Sequence, residues 1–81
     1  GMSMFTYGMD IFDKHEIEII NSKKEIDDLY NFILNISAYV VGNDINLQHG
    51  ETIGYFDVHK ASIKLTDGVF VKNKKTLKIA L

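Results

Sequence analysis

The chain has 81 residues, 46% of them hydrophobic, with nine basic and eleven acidic residues for a net charge of −2. A domain this small buries only about 60% of its unfolded surface, so its stability is expected at roughly 4–12 kcal/mol. With no cysteine, a disulfide framework, a thiolate nucleophile and a cysteine-ligated zinc are excluded, no apolar run reaches the length of a membrane span, and the N-terminus has no basic region leading into a signal core. Gly1 ahead of Met2 reads as a remnant of tag cleavage, which leaves 2–81 as a single domain.

In chain order, Phe5, Tyr7, Met9 and Ile11 alternate with Thr6, Gly8 and Asp10, the two-residue period of a half-buried strand. A polar break at Asp13, Lys14 and His15 leads to Glu16–Ile20, with Ile17 and Ile19 on one face and Glu16 and Glu18 on the other, which predicts a first hairpin. Ser22 and Glu25 have the spacing of a capping box, and Gly42 that of a left-handed stop, so a helix is predicted from Ser22 to Gly42. At 100° per residue, Leu29, Ile33, Ile36, Val40, Ile26, Ser37, Tyr30, Val41 and Leu34 form one wide apolar face. Phe32 and Tyr39 fall on the flank beyond Ile36, where water is the default neighbour. Either the sheet curls over them or another chain does, and the interface expected for a second protein chain is Phe32, Tyr39 and Ile36.

After the helix, Asn43 and Asp44 turn the chain, Ile45 and Leu47 alternate briefly, and His49–Glu51 turns it again. Strands are predicted at Thr52–Phe56, Ser62–Thr66, Val69–Val71 and Thr76–Leu81, with Asp57–Lys60 as a loop and Asp67-Gly68 as a tight hairpin turn. Two strands, a helix and then further strands predict an α+β fold. Its two layers are one long helix and a mainly antiparallel sheet of about five strands.

Few residues point to chemistry. Asp10, Asp13, His15 and Glu16 cluster on the first hairpin, yet their spacing matches no metal-ligand motif, and no metal or cofactor is expected. His15, His49 and His59 lie in predicted turns. Ser22 is committed to capping and Ser37 to the core, so no nucleophile and base come together, and no catalytic residue is assigned. Gly50-Glu51-Thr52-Ile53-Gly54 lacks the loop-to-helix context of a phosphate cradle.

Charge is polarised along the chain: residues 1–51 carry three lysines and nine acids, −6, and residues 52–81 carry six lysines and two acids, +4. Lys60, Lys64, Lys72, Lys74, Lys75 and Lys78 resemble a polyanion patch, but with no arginine and a pI of 5.8 nucleic acid is disfavoured. The lysines suit protection of strand edges. Attraction between acidic helix and basic strands across a subunit boundary is a further reading, and it predicts salt-sensitive self-association.

Gly8-Met9 with Phe12, Glu16-Ile17-Glu18-Ile19, Leu29-Tyr30 with Phe32, and Gly50-Glu51-Thr52-Ile53-Gly54 occur in an order and spacing that resembles the C-terminal part of a bacterial family, domain of unknown function 4261. The resemblance runs from about Tyr7 to Leu81. It implies a bacterial, cytoplasmic protein with no assigned activity, and it carries over no catalytic residue. This chain has His15 where the family pattern has a proline, and family members extend further on the N-terminal side, which implies that surface covered in them is exposed here. The function expected is a non-catalytic protein–protein interaction or assembly module that self-associates as a homo-oligomer or binds another protein, with no membrane role. The alternative is a ligand-binding or enzymatic domain with a site near His49, Glu51, His59 and Tyr55.

Overall fold

The β-branched pairs Ile17/Ile19 and Ile63/Ile79, with Leu77, supply one apolar row per strand, and the sheet is built where those rows align. The computed structural model describes residues 1–55 and 59–81. Its strands are β1 (Met2–Phe5), β2 (Ile17–Ser22), β3 (Thr52–Tyr55), β4 (His59–Asp67) and β5 (Lys75–Ile79), and its helix is α1 (Ile26–Gly42). They form one five-stranded sheet of order β1-β2-β5-β4-β3. Only the β2/β5 pair is parallel. The expected α+β fold with a mainly antiparallel sheet is therefore what the chain adopts.

Register sets Ile17 beside Leu77, Ile63 beside Ile79 and Leu65 beside Leu77, so one sheet face is continuously apolar. Helix α1 lies on that face with Leu29, Ile33, Ile36 and Val40, a stripe at helical spacing, all buried. Met9 joins this core, and Met4, Phe32, Val41, Leu47 and Ile53 pack around its margin. Each large side chain so buried contributes about 1.5–3 kcal/mol. Among the described residues no helix is long and apolar enough to cross a membrane.

Several local expectations are corrected. The first strand is Met2–Phe5, not Phe5–Ile11: Gly8 takes φ 106°, and Met9–Phe12 winds into a 3-10 turn closed by Asp13 at φ 58°. Ser22 caps no helix. It ends β2, donating from Oγ to the Leu81 carbonyl and accepting from the Lys24 N–H, both at 3.1 Å. The helix begins instead after Glu25, whose extended backbone serves as N-cap without a side-chain bond. At the other end Gly42 is the last helical residue, and the left-handed position is Asp44 at φ 51°.

Val69–Val71 is a bend and not a strand, so the β4–β5 hairpin carries a longer loop, closed by the Gly68 N–H on the Lys74 carbonyl at 2.8 Å. His59 opens β4 instead of lying in a turn. Phe56, and Asp57 and Val58 of the expected loop, lie outside the described residues, as do the side chains of Tyr55 and His59.

Candidate functional site

Helix α1 has two flanks beside its buried stripe, and they differ. On the flank facing β3, Phe32 is partly buried and packs against the core, Ile36 is only 4% exposed and Tyr39 is 49% exposed. With Ile53, Asn31 and Asn35 they border a groove of about 440 Å³. Of the three residues expected to meet a partner, Ile36 belongs to the core and only Tyr39 is half exposed.

The opposite flank holds the larger surplus. Ile26, Tyr30 and Leu34 recur every four residues, and Tyr30 and Leu34 remain 55% and 48% exposed. The expectation that they share the buried face is overturned, because β1 is too short to cover them: it contributes Met4 to the core side and then ends. Between β1, the 3-10 turn and α1 lies a concavity of about 460 Å³ bordered by Met4, Tyr7, Phe12, Tyr30, Leu34 and Ser37. Tyr7 stands at its rim, 87% exposed. The Ser37 hydroxyl lies against this hollow, out of water and without a hydrogen-bond partner. A pattern reading misses this site because Tyr30 and Leu34 lie 100° and 140° from Leu29, at the edge of an otherwise continuous stripe. Tyrosine at the edge of such a stripe is the one available signal, since its ring seeks apolar cover and its hydroxyl does not.

Two carboxylates organise the opposite sheet face. Glu18, on the face of β2 opposite Ile17 and Ile19, is fully buried, because the β4–β5 loop folds over it. Its oxygens accept from the backbone N–H groups of Val69, Phe70 and Val71 at 3.0, 2.6 and 3.0 Å and from the Thr76 hydroxyl at 2.6 Å. Lys78 Nζ stands 3.2 Å away. Three successive N–H groups aimed at one anion make a nest. Burial pushes the Glu18 pKa up, but the bonds from Thr76 and from the N–H groups of Val69, Val71 and Phe70 outweigh it and lower the group to about 2.

Phe70 of the same loop stacks on Phe5 of β1, centroids 5.3 Å apart. Glu16, also buried, accepts from the N–H groups of Gly8 and Met9, both at 2.9 Å, and from the Thr6 hydroxyl at 2.8 Å. It thereby fixes the turn that ends the first strand early.

The remaining candidates are dispersed. Asp10 lies 3.7 Å from Lys74, Glu16 serves its turn and His15 is exposed. Among the described residues no three His, Asp or Glu side chains are grouped to hold a metal. His49 Nδ1 accepts from the Leu65 N–H at 2.9 Å, and Glu51 accepts from the Gln48 N–H at 2.6 Å, so both are tied to backbone.

The lysines are also engaged. Lys75 pairs with Asp67 at 2.8 Å and Lys14 with Asp44 at 2.6 Å. Hydrogen bonds from those lysines hold both aspartates below the usual carboxylate range. Lys78 turns onto the Asp67 carbonyl at 2.8 Å and the Thr76 hydroxyl at 2.6 Å.

A family model described as domain of unknown function (DUF4261) matches residues 5–80. No curated protein and no solved structure matches the chain at a significant level.

Proposed function

The chain belongs to the domain of unknown function (DUF4261) family, and on that premise we propose that it is a non-catalytic protein–protein association module that binds a second copy of itself. One observation carries the reading. Four large apolar side chains, Tyr7, Phe12, Tyr30 and Leu34, stand around a single concavity with roughly half or more of their surface in water. Contiguous exposed apolar patches of a few hundred Å² on a small protein mark interaction surfaces, and aromatic rings are the side chains that contribute most to such contacts. The site chemistry points the same way. Glu16, Glu18, His49 and Glu51 are each occupied by backbone or hydroxyl groups of their own chain, an arrangement that orders loops and leaves no poised acid, base or nucleophile among them.

The test is solution mass by size exclusion with light scattering. At high micromolar concentration the expected mass is about twice the 9.2 kDa of one chain, falling toward the single-chain value on dilution. A single-chain mass throughout would overturn the reading.

A further inference from the structure

The concavity described above lies at the β1 end of the sheet, and the opposite end has a feature that self-association does not use. We infer that the free edge of β3 is a second docking site, and that it takes an extended peptide segment of alternating acidic and apolar residues, added to the sheet as a further strand.

Backbone direction is the first support. Strand β3 ends the sheet order, so one of its edges pairs with β4 and the other pairs with no strand. The Ile63 N–H donates to the Glu51 carbonyl at 2.9 Å and the Ala80 N–H to the Ser62 carbonyl at 3.1 Å, so odd-numbered residues of β4 turn their backbone groups toward β3 and even-numbered ones toward β5. Thr52 is the partner of Ser62 and Gly54 of Lys60, and residues paired in an antiparallel ladder face each other or face apart together. Thr52 and Gly54 therefore aim their N–H and C=O groups out of the sheet, and both residues are exposed.

The two edges of the sheet are guarded differently. On β1 the register slips between Met2 and Met4, an irregularity that discourages strand addition. The β3 register runs without a slip from Thr52 to Tyr55, and Thr52, Ile53 and Gly54 include neither the proline nor the lysine that commonly blocks an edge.

Side chains then select the occupant. Alternate residues of an added strand fall on the two faces of the sheet. The residue beside Ile53 points toward the helix layer, into the groove of about 440 Å³ bordered by Ile53, Phe32, Ile36 and Tyr39, which suits an apolar side chain. Residues beside Thr52 and Gly54 point to the other face, where Lys60 and Lys64 stand exposed and enter no ion pair among the described residues. Lys60 lies opposite Gly54, so no β3 side chain separates it from the edge. With strands about 4.8 Å apart, its long stem spans β3 and brings the ammonium to a carboxylate on the added strand. Charge complementarity thus calls for acidic residues on that face. It also argues against a second copy, whose own β3 edge is backed by the same lysines.

The experiment titrates a peptide of about nine residues, long enough for one strand, into the isotope-labelled chain and follows amide signals by NMR. The test peptide alternates glutamate and valine; one control alternates lysine and valine, and another holds the same glutamates and valines in two blocks. The alternating acidic peptide is expected to shift the Thr52 and Gly54 amides saturably, to leave those of Met4 and Phe5 in place, and to bind at least about tenfold more tightly than either control. Lys60→Glu is expected to weaken it by about tenfold or more. Gly54→Pro removes an outward N–H without touching the bonds to β4, and is expected to abolish measurable binding.

No saturable binding at millimolar peptide, or shifts centred on β1, would overturn the inference. So would a block peptide that binds as well as the alternating one, which would assign the lysines to plain polyanion attraction. Should Gly54→Pro fail to fold, the wild-type shift map and the Lys60→Glu comparison decide. Self-association is read from the mass of the chain without peptide, so either reading can fail while the other stands.

Discussion

Glu18 occupies an alternating strand at a position where its neighbours Ile17 and Ile19 fill the core, and it is nevertheless buried as an anion. The nest of Val69–Val71 N–H groups, the Thr76 hydroxyl and Lys78 replaces the water it loses. The consequence for stability has a definite sign. The folded pKa of about 2 lies below the ordinary 4.5, so the unfolded chain binds the proton more tightly. The stabilisation is therefore fully present above pH 4.5 and is lost as the pH falls toward 2. A shift of that size corresponds to roughly 3 kcal/mol, a large share of what a domain this small possesses. Urea midpoints measured between pH 6 and pH 2 are expected to fall chiefly below 4.5. Glu18→Gln, which turns an amide toward donors that need an acceptor, is expected to cost about 3–5 kcal/mol at neutral pH and to flatten that acid dependence. An unchanged acid profile in Glu18→Gln would show that other carboxylates carry it.

The β4–β5 loop shows how one element depends on such a residue. Gly68 leads into it so closely that an added Cβ would overlap the Val71 carbonyl oxygen and sit 3.1 Å from Thr76 Cγ2. Gly68→Ala is thus expected to destabilise by about 1–3 kcal/mol, read from the urea midpoint, and to loosen the Phe5–Phe70 stack, read from ring shifts in NMR. Helix α1 offers the opposite case. Ser37→Ala removes an unpartnered hydroxyl and improves helix propensity, so the dilute chain is expected to gain roughly 1 kcal/mol. A loss of stability would mean that the hydroxyl is bonded in solution.

Periodicity sufficed for the helix, the apolar rows of β2, β4 and β5 and the two-layer architecture, since each is written in spacings of two or 3.6 residues. It failed where a tertiary partner outranked local pattern. Glu16 winds Met9–Phe12 into a turn that reads as a strand, and Glu18 does the same to Val69–Val71. The candidate site was legible only in part: a surplus of apolar helix surface was readable, but how it divides between the two flanks depends on how far β1 extends, which leaves Tyr30 and Leu34 exposed on one flank beside Tyr39 on the other, with Ile36 in the core.

At the scale of the whole molecule, the two charged halves of the sequence meet within one chain. Lys74 faces Asp10 and Lys78 faces Glu18, so two ion pairs join the −6 half to the +4 half, while Lys14–Asp44 and Lys75–Asp67 each pair within one half. Association driven by opposite charge would weaken steeply as the screening length falls from about 10 Å at 0.1 M salt to about 3 Å at 1 M. Association through the uncharged hollow has no such dependence. The dissociation constant of the two-copy form is expected to change by less than about threefold over that range of sodium chloride, and to tighten in sodium sulfate, which strengthens apolar burial. Sedimentation at several salt concentrations measures it. A tenfold or greater loss of affinity in sodium chloride would move the contact from the β1 side of the helix to the acidic and basic faces, where lysines such as Lys60, Lys64 and Lys72 stand exposed.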